Sequence, residues 1–375
     1  MDLIMNPSGV VGGSPTTGPN TTSSSDQPQT TMLHEREVVR SAGRDAISHF
    51  LDSHNCYSVL RASGKVVVFD TRIPIQLAFY ALVEHDMQAA PLWDQSLCQF
   101  VGLLTVTDFI DVLRYYKQTS TDVTALASRT IAHVLADDCP SHKKIFWSAN
   151  ANASLKQACA LLHNQNLDFL PVMLPEDMRV LSTITYTTIL EHLVTHFREQ
   201  RRLFDDTVYD LGIGTYHDKI LTCHSHQTLN EVLELMAQNH LSAIPVLDST
   251  TKKLIGVYSR SDITFLATAS DAEDAIANLD LEIHVLLAQQ RTDVTTPDAL
   301  HTCTTHHTLQ SIFEYFAQWK FNRLVVVDEQ EQVVGIVSAR DLVAYFLKGG
   351  GHVQKGTKHN ISNNPCLDGD GSDMQ

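Results

Sequence analysis

Four copies of one pattern run along this chain. That repetition restricts its fold more than any other feature, because repeated units bury their apolar faces mainly against one another. A helix-spaced apolar quartet occurs at Ile75, Ala78, Phe79 and Leu82, then at Leu155, Ala158, Cys159 and Leu162. It returns at Leu229, Val232, Leu233 and Met236, and at Leu309, Ile312, Phe313 and Phe316. The steps are 80, 74 and 80 residues, and the short apolar strands centred on Pro91, Pro171, Pro245 and Val325 keep the same steps. A second strand follows across a polar turn such as Asp248-Ser249-Thr250-Thr251. Each copy therefore predicts strand, helix, strand, strand, helix.

The passage from last strand to last helix reads Gly-x-x-[Ser/Thr]-x-x-Asp in three copies: Gly102, Thr105, Asp108; Gly256, Ser259, Asp262; Gly335, Ser338, Asp341. The second copy has Ser182, Thr185 and Thr188 and lacks the carboxylate. Two readings fit. A hydroxyl before a helix and a carboxylate in its first turn cap orphan amides and complement the macrodipole. The same groups facing a shared cleft can hold phosphate and accept ribose hydroxyls, and one residue can serve both roles.

The chain has 375 residues, with 43 acidic and 27 basic side chains and a net charge of −16, so no global field favours nucleic acid. Cys56, Cys98, Cys139, Cys159, Cys223, Cys303 and Cys366 are odd in number and scattered, which gives no disulfide framework and fits a reducing compartment. No apolar run approaches the ~18 residues of a membrane span. Residues 7–31 and the tail beyond Lys348 are Gly-, Ser-, Thr- and Asn-rich and cannot offset their ordering entropy by burial.

Long stretches carry a resemblance. Lys65-Val66-Val67-Val68-Phe69-Asp70-Thr71, Ala89-Ala90-Pro91-Leu92-Trp93-Asp94 and Leu104-Thr105-Val106-Thr107-Asp108-Phe109-Ile110 lie in the first copy. Ile213-Gly214-Thr215-Tyr216, Ser242-Ala243-Ile244-Pro245-Val246 and Arg323-Leu324-Val325-Val326-Val327-Asp328, leading to Gly335-Ile336-Val337-Ser338, lie in the second half. The copies resemble cystathionine β-synthase (CBS) motifs, and the chain from about Ser41 to Gly350 resembles γ subunits of the AMP-activated protein kinase.

The resemblance implies an α/β fold of four β-α-β-β-α CBS motifs, paired into two tandem (Bateman) modules that form a flat disc. The expected boundaries are a disordered tail at 1–40, a first repeat with its leading helix at 41–127, and a degenerate second repeat at 128–202. The third repeat is expected at 203–275, the fourth at 276–348 and a disordered tail at 349–375. The resemblance further implies a non-catalytic regulatory subunit, cytoplasmic and nuclear, working with a kinase catalytic α subunit and a scaffold β subunit. AMP, ADP and ATP are the implied regulatory ligands, with no cofactor and no metal.

Carried over by motif, the ribose contacts are Asp108, Asp262 and Asp341. The phosphate and adenine contacts are Thr105, Thr107, Thr215, Ser242, Ala243, Ser259, Arg260, Ser261, Arg291, Arg323, Ser338, Ala339 and Arg340. Ser242, Ala243, Thr215, Ser338 and Asp341 match one family site, and Ser259, Arg260, Asp262, Arg291 and Arg323 match another. The sequence departs from the family at the basic positions three and two before each strand centre. It has Gln88 and Ala89, Asp168 and Phe169, Ser242 and Ala243, and Asn322 and Arg323. Binding is therefore expected mainly in repeats three and four, with Arg340 adding positive charge where the family has Ser.

Other motifs carry less. Cys223, His224 and His226 echo Cys303, His306 and His307 at the same 80-residue step, but no four-ligand set is compact in sequence. A polar approach to the helices capped by Thr228 and Thr308 explains them better. Gly212-x-Gly214 lacks a third glycine, and no Walker A run or Gly-x-Ser-x-Gly elbow is present. Arg198, Arg201 and Arg202 read as a solvated helix face, and Asn152-Ala153-Ser154 matters only in a secreted chain. Three functions remain in competition. One is a nucleotide-sensing regulatory subunit, and another is a scaffold of the same complex that does not sense. The third, an enzyme, needs a catalytic domain for which the flanks have no room.

Overall fold

The computed structural model describes residues 27–60, 66–85, 87–119, 126, 128–138, 145–174, 176, 178–197, 204–262, 269, 272–290, 300–319 and 321–348. The expectations for residues 1–26 and 349–375, for Arg291 and for Arg198, Arg201 and Arg202 lie outside them. Helix α1 spans Gln27–Ser53 and so begins inside the stretch expected to be disordered through residue 40. The correction has a physical cause. Arg40 donates to Asp206 at 2.9 Å and Arg44 to the Tyr345 hydroxyl at 3.3 Å, while Ile47 and Leu51 are buried, so this segment is anchored at several points.

The first repeat runs β1 (Phe69–Asp70), α2 (Ile75–Glu84), β2 (Ala89–Asp94), β3 (Gln99–Thr105) and α3 (Val106–Thr119). The second runs β4 (Ala149–Asn150), α4 (Leu155–Asn164), β5 (Leu170–Leu174), β6 (Arg179–Ile184) and α5 (Tyr186–His196). A short strand, β7 (Thr215–Tyr216), precedes the third repeat, which contains β8 (Cys223–His224), α6 (Leu229–Gln238), β9 (Ala243–Leu247) and β10 (Leu254–Ser259). Two helices follow, α7 (Ala272–Ala277) and α8 (Ile283–Gln290). The fourth repeat is β11 (Thr302–Cys303), α9 (Leu309–Trp319), β12 (Arg323–Val327), β13 (Val333–Ser338) and α10 (Ala339–Leu347). The residues after Asp262, where the third repeat's last helix is expected, lie outside the described set.

Each repeat builds a small mixed sheet in which the pivot strand is central, parallel to the first strand and antiparallel to the next. Proline sits at the centre of three of these strands, opposite Leu103, Thr183 and Val257. It donates no ladder bond there. The fourth repeat has Val325 instead, whose amide donates to the carbonyl of His301 at 3.0 Å, and its sheet carries β7 as an extra strand beside β13. All four apolar quartets are buried. Filling these positions with Leu, Ile and Phe stabilises each site by roughly 1.5–3 kcal/mol.

The leading segments are exchanged between neighbouring repeats. Before the first repeat, Cys56 donates to Ala153 O and His54 O accepts from Leu155, so this segment and α1 rest on the second repeat. The segment before the second repeat returns to the first, where Ile131 donates to Ile73 O and Ile75 to Arg129 O. Val208 and Asp206, which precede the third repeat, bond to His307 and Leu309 of the fourth, while Leu281 and Ile283 bond to Leu229 and Gln227 of the third. This exchange pairs repeat one with two and three with four. Apolar packing places the leading helix α1 on repeats two and four.

Packing between apolar faces then joins the pairs. One core holds residues of repeats one and three, and the other joins repeats two and four with Ile47 and Leu51 of α1. Cys56, Cys159, Cys223 and Cys303 are free and buried. Cys98 is disulfide-bonded, although the scattered cysteines suggest no disulfide framework. Among the described residues, no helix is long and apolar enough to cross a membrane, and no group of three or more His, Cys, Asp or Glu side chains could hold a metal ion.

Candidate functional site

Both readings of the exit motif start from its capping geometry. In the first repeat, Thr105 donates from its amide and its hydroxyl to Asp108 Oδ2, both at 2.7 Å, and Thr107 Oγ1 lies 2.8 Å from Thr105 Oγ1. In the fourth, Ser338 does the same to Asp341 Oδ2 at 2.8 and 2.6 Å, and the Asp341 amide returns a bond at 3.2 Å. Thr188 takes the carboxylate's place in the second repeat, accepting from the Thr185 amide at 2.9 Å. A hydroxyl suffices for that bond, which is why the helix survives loss of the acid. One carboxylate oxygen of Asp341 is used by the cap, and the other is not part of it.

The third repeat is built differently. Ser259 Oγ lies 2.8 Å from Ser261 Oγ and accepts a bond from Arg323 Nη1 at 2.9 Å. Arg323 Nη2 also donates to Ser242 Oγ at 3.3 Å. A single guanidinium thus crosses from the start of β12 to the strand ends of the third repeat. Ala243 pairs with Ser259 across β9 and β10, and Arg323 pairs with Ser338 across β12 and β13. Thr215 pairs with Ile336 on the far side of β13. The two groups of residues that sequence motifs separate therefore meet at Arg323. Asp262 and Ser259 are buried, and Ser242 is exposed.

Two predicted residues have unexpected surroundings. Arg260 donates to both carboxylate oxygens of Asp111 on α3, at 2.6 and 2.7 Å, which ties the third exit to the first. Arg340, in the first turn of α10, acts electrostatically on His163, Asp168 and Tyr186 of the second repeat. Burial lowers the His163 pKa, and the positive charges of Arg340 and Lys348 lower it further. Asp168 is accessible to solvent yet closely surrounded. That enclosure raises its pKa, against the opposing pull of Arg323, Arg340 and Arg260.

Thr105, Thr107 and Asp108 are linked to this region through the Asp111–Arg260 contact one helical turn further on, while Ala339 is buried. Asp111 and Tyr186 are not among the motif residues, and Asp168 enters the sequence reading as a departure from the family's basic positions. Asp111 could have been found as the next carboxylate three positions after Asp108 on the same helix face. The doubled Cys-x-x-His elements form turns: the His307 ring accepts from the Thr304 amide at 3.0 Å, and His226 meets Ser249 at 2.5 Å. Thr228 and Thr308 cap the helices that follow.

The exit hydroxyls and the Arg323 guanidinium lie at strand ends and helix starts, the kind of place where α/β proteins hold phosphorylated ligands. The CBS domain family matches residues 141–195, 212–267 and 292–348. The chain is 33% identical to the 5'-AMP-activated protein kinase subunit gamma of Dictyostelium discoideum over 84% of its own length and 55% of that protein. It is 31% identical to subunit gamma-3 of Sus scrofa and of Homo sapiens over 82% of its length, covering 59% and 62% of those chains. It thus spans between half and two thirds of these relatives. A solved Methanocaldococcus jannaschii protein, described as an archaeal homologue of that subunit, superposes with a TM-score of 0.62 at 16% identity, covering 78% of this chain and 100% of the other. Over most of its length the chain is thus similar to AMP-activated protein kinase γ subunits, and three of its repeats match the CBS domain family.

Proposed function

We propose that this chain is a non-catalytic regulatory subunit of a heterotrimeric AMP-activated Ser/Thr protein kinase, cytoplasmic and nuclear, with an α catalytic and a β scaffold partner. It binds AMP, ADP and ATP in clefts between CBS repeats, mainly those of repeats three and four. Asp262 and Asp341 accept ribose hydroxyls, with Asp108 as their counterpart in repeat one. Ser242, Ser259, Ser261, Arg260, Arg323, Ser338 and Arg340 face the phosphates, joined by Arg291, and Thr215, Ala243 and Ala339 border the base. Thr105 and Thr107 play the corresponding part in repeat one. The repeats are bounded as the sequence suggests, 128–202, 203–275 and 276–348, with the first at 41–127.

The observation that carries this reading is Arg323, whose guanidinium joins Ser242 and Ser259 beside the Ser338–Asp341 exit. A cation shared by two strand ends and a helix start is suited to a charge-assisted phosphate contact. Regulation follows from differential affinity: AMP shifts the kinase toward activity only as far as it binds the active assembly better than ATP does. Calorimetry with AMP, ADP and ATP on wild type and on the Asp262→Ala, Asp341→Ala double variant tests it. Wild-type binding lost in the variant supports the reading, and absence of wild-type binding overturns it.

A second reading, a scaffold that assembles the kinase without sensing, draws on the cap geometry. Asp108 and Asp341 already serve their helices through Oδ2, so the exit motif has a structural use without any nucleotide. Co-purification with a kinase catalytic subunit in the absence of calorimetric binding selects this second reading.

A further inference from the structure

The surroundings of Asp168 come from three repeats. This residue lies just before β5 in the second repeat, whose helices α4 and α5 pack on α10 of the fourth. Arg340 belongs to the first turn of α10, and Arg323 lies across the β12–β13 ladder from Ser338, the cap of that helix. Arg260 adjoins through the third repeat, to which Arg323 is bonded at Ser259. Leu170 of β5 pairs with Ile184, which brings Asp168 alongside the start of α5, and the charges of Arg323, Arg340 and Arg260 oppose the rise of its pKa.

The same corner has unused hydrogen-bonding capacity. Tyr186, 6% exposed, has a hydroxyl with no hydrogen-bond partner among the described residues, and it lies within the influence of Arg340, Asp168 and Asp341. The His163 Nδ1 atom is likewise buried and without a partner. Closed ion-pair networks satisfy their members, so open polar groups beside three cations and one carboxylate mark a corner suited to a ligand.

We propose that Asp168 limits the phosphate charge this corner accepts, so that nucleoside monophosphates are favoured over triphosphates. The inference rests on the nucleotide reading above. Arg260, Arg323 and Arg340 bring positive charge to this corner, Asp111 offsets part of it through its bond to Arg260, and the Asp168 carboxylate offsets more. A triphosphate carries about two more negative charges than a monophosphate. A fixed carboxylate therefore repels the triphosphate more strongly, and its removal benefits the triphosphate more. Discrimination here comes from a repulsive group, not from an added attractive one.

The test is calorimetric titration of AMP and ATP into the whole 375-residue chain and its Asp168→Asn and Asp168→Glu variants. Asp168→Asn is expected to tighten ATP by about tenfold and AMP by about threefold at low salt, an inequality that shrinks as salt is added. Asp168→Glu keeps the charge and is expected to keep the wild-type ratio of affinities. Equal gains for both ligands, or none, with wild-type binding intact, overturn the Asp168 proposal alone. Binding by none of the three proteins overturns it together with the nucleotide reading.

Discussion

Arg260 of the third repeat and Asp111 of the first are joined by two bonds of 2.6 and 2.7 Å, although 149 residues separate them. Both side chains are about one-fifth exposed. Arg114 reinforces the joint, lying 3.9 Å from Asp111 and pairing with Glu234 of α6. The contact places a charge bond beside the apolar core that repeats one and three share.

Removing either partner leaves a charged group poorly solvated. Asp111→Ala and Arg260→Ala are each expected to cost about 2 kcal/mol of stability. Because the two groups act on each other, the double variant is expected to cost less than the sum of the singles. Urea denaturation of the three variants measures this, and strictly additive costs would show that the pair is not coupled.

Ser338 both starts α10 and holds Asp341. Ser338→Ala removes a cap hydroxyl and is expected to cost about 1 kcal/mol. Ser338→Thr is expected to stay near wild type, because Thr105 and Thr185 make the corresponding bonds in repeats one and two. Thermal unfolding of the two variants separates a capping role from generic sensitivity at this position.

At Gly335 the constraint is space. A Cβ built there would lie 2.5 Å from Tyr216 Cδ1 and 2.6 Å from Cε1. That ring is held in place, since its hydroxyl donates to Ile213 O at 2.8 Å and its strand pairs with β13. Gly335→Ala is expected to cost about 1–3 kcal/mol, as overpacking does. Adding Gly335→Ala to a Tyr216→Ala background is expected to cost much less, which denaturant unfolding can show.

The four-fold period made most of the fold legible. Its apolar quartets are the buried faces of α2, α4, α6 and α9, and its pivots are the central strands. Local chemistry was readable for the same reason: a hydroxyl three residues before a carboxylate gives the same cap wherever it occurs. Contacts fixed by tertiary packing were not readable. Nothing near Arg260 in sequence points to Asp111, and nothing near Asp168 points to Arg323 and Arg340. The leading segments cross to the neighbouring repeat, which a linear division into repeats cannot express. The early start of α1 was hidden too, because its anchor Asp206 lies 166 residues from Arg40.

The joint between α1 and α5 is a cluster of imidazole and phenyl rings, and it carries a prediction of pH dependence. His192 is 7% exposed and stacks on His196 with ring centres 4.3 Å apart. His54 meets it edge-on at 5.3 Å, and Phe50 and Phe197 close the cluster. Burial lowers the His192 pKa from 6.5 to about 4, and the neighbouring His196 and His54 add to the shift. The unfolded chain therefore takes up this proton at a higher pH than the folded one does. The stability it represents is fully present above pH 6.5 and is lost as pH falls from there toward about 4, by up to roughly 3 kcal/mol. His192→Phe cannot take up the proton in either state. Its stability is expected to fall less steeply than wild type between pH 7 and about 4.5, and parallel curves in denaturant titrations across that range would refute this role of His192.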